Sequence, residues 1–136
     1  MAKYAGFGIA LKRGATEIAG VSNISGPGLS VDIEDVTTHD STGAWEEVVA
    51  TILRSGEVSL DIVYDPVAAT HKYAAGGLIH DLVSRTKVTY TLVFPDVGAT
   101  EWTFDALVVG FEPTAPVAGG LTATARLKIT GQPTLA

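Results

Sequence analysis

A chain of 136 residues with 46% hydrophobic and 18% charged residues has the composition of one globular domain, large enough to bury a core without covalent staples. With no cysteine, disulfides and thiolate metal sites are excluded. The net charge of −6, with nine scattered basic residues, argues against a phosphate-gripping surface, and no stretch reaches the roughly 18 apolar residues of a membrane span.

The opening M-A-K-Y-A-G-F-G-I-A-L-K-R-G is mildly basic and apolar, but its short apolar run is broken by glycines. It reads as a first strand, Phe7 to Lys12, and not as a secretory signal. A protein made and used in the cytoplasm is expected. Glu17 to Ile24 reads as a second strand, ended by the turn S-G-P-G at 25–28. Leu29, Val31 and Ile33 then alternate with Ser30, Asp32 and Glu34, the pattern of a half-buried strand.

Residues 35–56 break the alternation. They read as a connection of about 22 residues, longer than compact domains usually tolerate without a functional reason. Its first half is polar, T-T-H-D-S-T-G; Trp45 follows, and then the more apolar E-E-V-V-A-T-I-L-R-S-G, suited to a helical turn or a strand extension.

Regular alternation returns at Glu57 to Asp65, with Val58, Leu60, Ile62 and Tyr64 on one face. Tyr73, Ala74, Leu78, Leu82 and Val83 fall near helical spacing, which predicts one helix over 70–84 with Thr70 as its N-cap. Lys87 to Phe94 reads as a strand. Glu101 to Phe111, apolar on both faces, reads as a central one. Leu121, Ala123, Ala125, Leu127 and Ile129 alternate with polar residues in a last, half-exposed strand. The sum is a mainly β single domain over 1–136, a sandwich or small barrel of about seven strands with one flanking helix.

Several candidate chemistries fail on spacing. His39, Asp40 and Ser41 are the residue types of a hydrolase triad, but neighbours in an extended chain face opposite ways, and triad members come from distant positions. Neither a G-x-S-x-G elbow nor a His/Cys ligand pattern is present, so no catalytic residue, metal or cofactor is expected. Trp45 suits an interface, where an indole gives a large buried area. Trp102, inside W-T-F-D, is expected in the core. Asp32, Glu34, Glu57, Asp61 and Asp105 fall on exposed strand faces and would form one acidic surface if several copies shared it. Arg126 and Lys128 on the last strand work against a uniformly acidic wall.

At this point a likeness accumulates. I-S-G-P-G-L-S-V-D-I-E-D-V-T-T-H-D-S-T-G-A-W-E-E-V-V at 24–49 resembles the signature region of major tail tube proteins of siphophages, the long non-contractile-tailed bacteriophages. R-S-G-E-V-S-L-D-I-V-Y-D-P at 54–66, W-T-F-D-A-L-V-V-G-F-E-P-T-A-P-V at 102–117 and L-T-A-T-A-R-L-K-I-T-G at 121–131 resemble later strands of the same family. The resemblance implies a structural virion protein with no enzymatic activity. Its copies would form six-membered rings with a continuous inner β-barrel, stacked into a tube assembled in the bacterial host cytoplasm.

The partners so implied are the subunit itself, a tape-measure protein, a tail terminator, distal tail proteins, and double-stranded DNA that passes through without specific binding. No membrane contact and no C-terminal immunoglobulin-like domain are expected. Asp35, Thr37, Thr38, His39, Asp40, Ser41, Trp45, Glu46 and Glu47 become candidates for an inter-subunit or inter-ring loop that orders on assembly, and the five acids above for a lumen face. The competing readings are a tube subunit of a related injection machine or gene transfer agent, and a soluble β-sandwich ligand-binding module.

Overall fold

The computed structural model describes residues 3–135; residues 1, 2 and 136 of the expected 1–136 domain lie outside the described residues. Nine strands are formed: β1 (Ala10–Arg13), β2 (Thr16–Glu17), β3 (Val21–Ser25), β4 (Ser30–Asp35), β5 (Val48–Arg54), β6 (Glu57–Val63), β7 (Val88–Val93), β8 (Glu101–Thr114) and β9 (Thr122–Thr134). Among the described residues one α-helix, α1 (Leu78–Ser84), lies between β6 and β7. Seven strands make one antiparallel sheet in the order β2-β1-β7-β8-β9-β6-β3, and β4 and β5 form a separate hairpin.

The chain forces this sheet to curl. β2 and β3 are its two outermost strands, yet only Ile18, Ala19 and Gly20 join them. Four Cα steps of about 3.8 Å reach at most ~15 Å. The edges of a flat seven-stranded sheet would lie about 29 Å apart at ~4.8 Å per strand. The sheet therefore rolls into a half-barrel with its edges brought together. The turn is held by Gly20, which sits at φ +70°, where a side chain would press on the Val63 carbonyl.

The expected single strand over 17–24 is thus two strands on opposite edges, because the chain turns at Ala19-Gly20. The first strand begins later than expected, at Ala10, and leaves Phe7 in solvent. In β6 and β9 alternation reports correctly. Val58, Leu60 and Ile62 of β6, and Ala123, Ala125, Leu127 and Ile129 of β9, point into the core. β8, expected to be central, is the middle strand of the seven. Trp102 packs edge-on against Phe94, with ring centroids 5.0 Å apart.

The helix is half as long as its expected span of 70–84. Gly76 adopts φ +96° and Gly77 is extended, so no helix can begin before Leu78. Thr70 is not its cap; the Thr70 hydroxyl instead accepts the Ala19 amide at 3.1 Å. The buried His71 ring works on the same seam. Its Nδ1 accepts the Asp65 amide at 3.3 Å, which leaves Nε2 to donate to the Ala19 carbonyl at 2.6 Å.

α1 is pinned to the core face of the sheet by a buried carboxylate. Asp81, 1% exposed, receives Arg13 through two bonds, Nε to Oδ2 at 2.7 Å and Nη2 to Oδ1 at 2.8 Å. The Tyr90 hydroxyl donates to the same Oδ2 at 3.1 Å. Replacing Asp81 by Ala would strand a guanidinium and a buried phenol without their acceptor, and is expected to cost about 3 kcal/mol in denaturant unfolding. Burial, and then the Asp81 charge, push the Tyr90 phenol above its ordinary value of 10.0. Stability is then intact below about pH 10 and falls as pH rises further, by up to about 1.4 kcal/mol per unit. Tyr90→Phe is expected to flatten that alkaline slope in urea titrations run from neutral to strongly alkaline pH.

Candidate functional site

The span 35–56, read from sequence as one connection, is mostly a hairpin. Val48–Arg54 pairs with Ser30–Asp35, since the run V-V-A-T-I is strongly β-forming and finds V-D-I opposite it. The true loop is 36–47. β4 is also not half-buried: Val31 and Ile33 are exposed, and every residue of β5 is exposed. The hairpin leaves the half-barrel at a neck where Gly56 takes φ +70° and backs onto Gly28. It touches β9 there through Ser55 Oγ, which donates to the Gly131 carbonyl at 3.1 Å.

The two faces of this arm differ. In the pairing register Val31 opposes Leu53 and Ile33 opposes Ala50, giving an apolar face on which Leu53 is 82% exposed. The other face carries Asp32 and Glu34 with Arg54, and Val49 lies opposite Glu34; Asp35, opposite Val48, ends the apolar face. Arg54 Nη2 lies 2.7 Å from Asp32 Oδ2, and this contact holds the Asp32 carboxyl below the usual carboxylate range. An exposed apolar strip of this kind is costly unless something covers it.

The loop at the tip is built, not slack. Thr37 Oγ1 accepts the Glu47 amide at 2.8 Å and donates to the Glu47 carbonyl at 3.3 Å. Val36 N donates to the same carbonyl at 2.9 Å. Asp35 accepts the Thr37 amide at 2.8 Å, and hydrogen bonding from Thr37 holds the Asp35 carboxyl low. Thr38 and Ser41 close a second ring, with Thr38 N donating to Ser41 Oγ at 3.0 Å and Ser41 N to the Thr38 carbonyl at 3.1 Å. Asp40 N donates to Thr38 Oγ1 at 3.3 Å. A short 3-10 turn at Thr42–Ala44 then presents Trp45, 77% exposed.

Ser41 spends its hydroxyl on this ring, and no hydrogen bond joins it to His39 among the described residues. Of the three triad-type residues, Ser41 and the Asp40 amide take part in the loop's own hydrogen bonds. Among those residues, too, no cluster of three His, Asp or Glu side chains forms a metal site.

The five candidate acids fall in two places. Asp32 and Glu34 ride on the arm. Glu57, Asp61 and Asp105 share the polar face of the main sheet, where β9 separates the first two from the third. β9 brings Lys128 opposite Glu57 and Arg126 opposite Ser59. Asp61 accepts from Thr124 at 3.2 Å, and Asp105 accepts the Thr89 hydroxyl at 2.6 Å. This face therefore carries both signs of charge.

Sequence reading sets Val48, Val49, Ile52 and Leu53 in the apolar half of a connection suited to an interface, but not as one uncovered strand surface. The run V-V-A-T-I-L was the signal that could have found it.

With this geometry in view, likeness to known proteins decides the family. Residues 9–136 match the family described as lambda phage tail tube protein, TTP. The chain belongs to the lambda phage tail tube protein family. No curated protein sequence matches it. Solved structures share the fold at low identity. A chain from the virion of a native gene transfer agent superposes with TM-score 0.79 at 16% identity, covering 98% of this chain and 99% of that one. A chain from the tail of an empty gene transfer agent particle, refined in C6 symmetry, gives 0.76 at 16% identity over 98% and 99%. One from the sheath/tube terminator of the PVC extracellular contractile injection system gives 0.74 at 12% over 100% and 98%.

This tail tube protein keeps its arm outside its core, so loosening the loop should not unfold the subunit. Thr37→Val is expected to speed hydrogen exchange at the Glu47 amide by more than ten-fold, about 1.4 kcal/mol of lost local protection. The thermal midpoint should stay within about 1 °C, since the substitution touches no core group.

Proposed function

We propose that this tail tube protein is the major tube subunit of a siphophage tail, forming rings of six that stack into the conduit for DNA ejection. The observation that carries the reading is the arm, a two-stranded element with an apolar face that its own half-barrel does not cover. A neighbouring copy is the natural cover: a head-to-tail contact closes into a ring when the rotation allows, and stacked rings form an open filament. The C6 tail to which the chain is similar supports six as the ring size. In that ring the sheets of adjacent subunits join into one inner barrel, which leaves no exposed strand edge.

Within the tube, Asp35, Thr37, Thr38, His39, Asp40, Ser41, Trp45, Glu46 and Glu47 form the tip that reaches the next subunit or ring. Asp32, Glu34, Glu57, Asp61 and Asp105 line the bore together with Arg126 and Lys128. DNA passes such a wall without specific binding, because no cluster of unopposed cations displaces its counterions. The tube is made in the host cytoplasm around a tape-measure protein, meets a terminator and distal tail proteins at its ends, and works as structure, without enzymatic turnover. The gene transfer agent and injection-system likenesses keep a related tube as the second reading.

Negative-stain microscopy of the concentrated protein should show rings or hollow tubes of uniform width. Ile33→Asp with Leu53→Asp is expected to abolish them while leaving circular dichroism and the melting profile unchanged, since both residues lie outside the core. Tubes from that variant would remove the arm from the assembly. A wild-type protein that stays monodisperse with or without a tape-measure fragment would sink the tube reading.

A further inference from the structure

The charge of this chain is unevenly placed. Residues 29–54 hold six of the fifteen acidic residues and one of the nine basic ones, so the arm carries −5 of the net −6. Asp32 and Arg54 satisfy each other. The surplus sits on Glu34 and around the tip, with Glu46 and Glu47 directly beside the exposed Trp45.

Among the described residues one cation of the body is ion-paired, and others lie across from an acid or along the sheet. Arg13 is bound to Asp81. Lys12 opposes Glu17 and Lys128 opposes Glu57 in register. Arg126 lies over Gly110 on β8. The corner where α1 ends and β7 begins brings two cations together within three residues. Arg85 and Lys87 are both exposed, and no acidic side chain stands within ion-pair distance of either among the described residues. Val83 is exposed beside them. The corner thus presents one apolar side chain and two cations, against one apolar side chain and two anions at the tip.

Arg85 is also an unusual choice. It occupies the left-handed C-cap of α1 at φ 56°, a position where glycine is the common residue and a side chain is strained. The conformation fixes the corner. Thr86 N donates to the Asp81 carbonyl at 3.3 Å, and Ser84 Oγ lies 2.8 Å from Thr86 Oγ1. Strain retained at an exposed cation that has no partner in its own chain points to a partner outside it.

We propose that the arm tip, Trp45-Glu46-Glu47, docks on the Val83-Arg85-Lys87 corner of a second copy. The indole covers Val83 and the guanidinium, and the two glutamates pair with the two cations. Both surfaces are ordered before contact, which lowers the cost of bringing them together. β4 alone spans about 20 Å, so the tip stands clear of its own barrel and reaches a neighbour. The inference rests on the tube reading and adds the place where the arm lands.

Charge exchange tests it. Glu46→Lys with Glu47→Lys, and separately Arg85→Glu with Lys87→Glu, should each raise the subunit concentration needed for tubes by about ten-fold or more. The variant carrying all four should recover most of the loss. Arg85→Gly separates docking from folding: it relieves the C-cap and should raise the melting temperature while still weakening assembly. Normal tube yield from the Arg85/Lys87 variant, or no recovery in the four-fold one, would overturn the docking site and leave the tube reading standing. Absence of rings and tubes in the wild type would overturn both.

Discussion

Three residues determine the shape of this protein. Ile18, Ala19 and Gly20 must carry the chain from one edge of a seven-stranded sheet to the other, and their length permits only a rolled sheet. The rest of the body serves that closure. Ile18 fills the interior side of the seam. The Ala19 amide and carbonyl, which no ladder partner satisfies there, are taken by Thr70 and His71. The irregular segment before α1 thus supplies the hydrogen bonds that a missing strand pair would have made. α1 then fills the rolled sheet, and Asp81 sets its position by binding β1 through Arg13 and β7 through Tyr90.

Because the core closes without β4 and β5, the arm is free to serve another purpose. Its apolar side chains give the body nothing, and its charge would oppose stacking on another acidic surface. An element that is apolar on one face, anionic at its end and stiffened by its own turn hydrogen bonds is poorly suited to an isolated subunit and well suited to a repeating contact. The division of charge sharpens this. A body at −1 and an arm at −5 attract least when arms meet arms and most when an arm meets a cationic part of a body. Charge alone therefore favours head-to-tail contact over the paired-arm dimer that exposed strand edges otherwise invite.

How much of this was legible in the sequence follows from which segments obey a simple period. β6 and β9 have one face in the core and one in solvent, so Val58, Leu60 and Ile62, or Ala123 through Ile129, could be read directly. The rolled sheet could not be, because closure depends on which strands pair, and the A-G step at 19–20 looks weaker than the S-G-P-G turn that follows. β5 reads only as one option, a strand extension, for a different reason. Its V-V-A-T-I-L run is apolar on both faces, a pattern of burial, whereas here every one of its residues is exposed. The helix was overextended because Tyr73 and Ala74 keep the spacing of a helix that positive φ at Gly76 forbids. At the tip the residue types were noticed, but the bonds that Ser41 and Thr37 make to the backbone depend on how the loop folds, which residue types alone do not give.

The mixed charge of the main sheet's polar face follows from the same register. Had β9 carried acids where it carries Arg126 and Lys128, Glu57 would face a like charge directly across the ladder, and cross-strand repulsion would weaken the pairing of β6 with β9. Placing cations on β9 and acids on its neighbours β6 and β8 stabilises the sheet and offsets part of its outward field. In the proposed tube, a bore lined this way needs no strong repulsion to stay open to DNA. Each cation already faces an acid or lies along its own sheet, so a passing phosphate gains little by replacing that contact. Local neutrality, dictated by strand pairing, would then be the feature that keeps the conduit from holding its cargo.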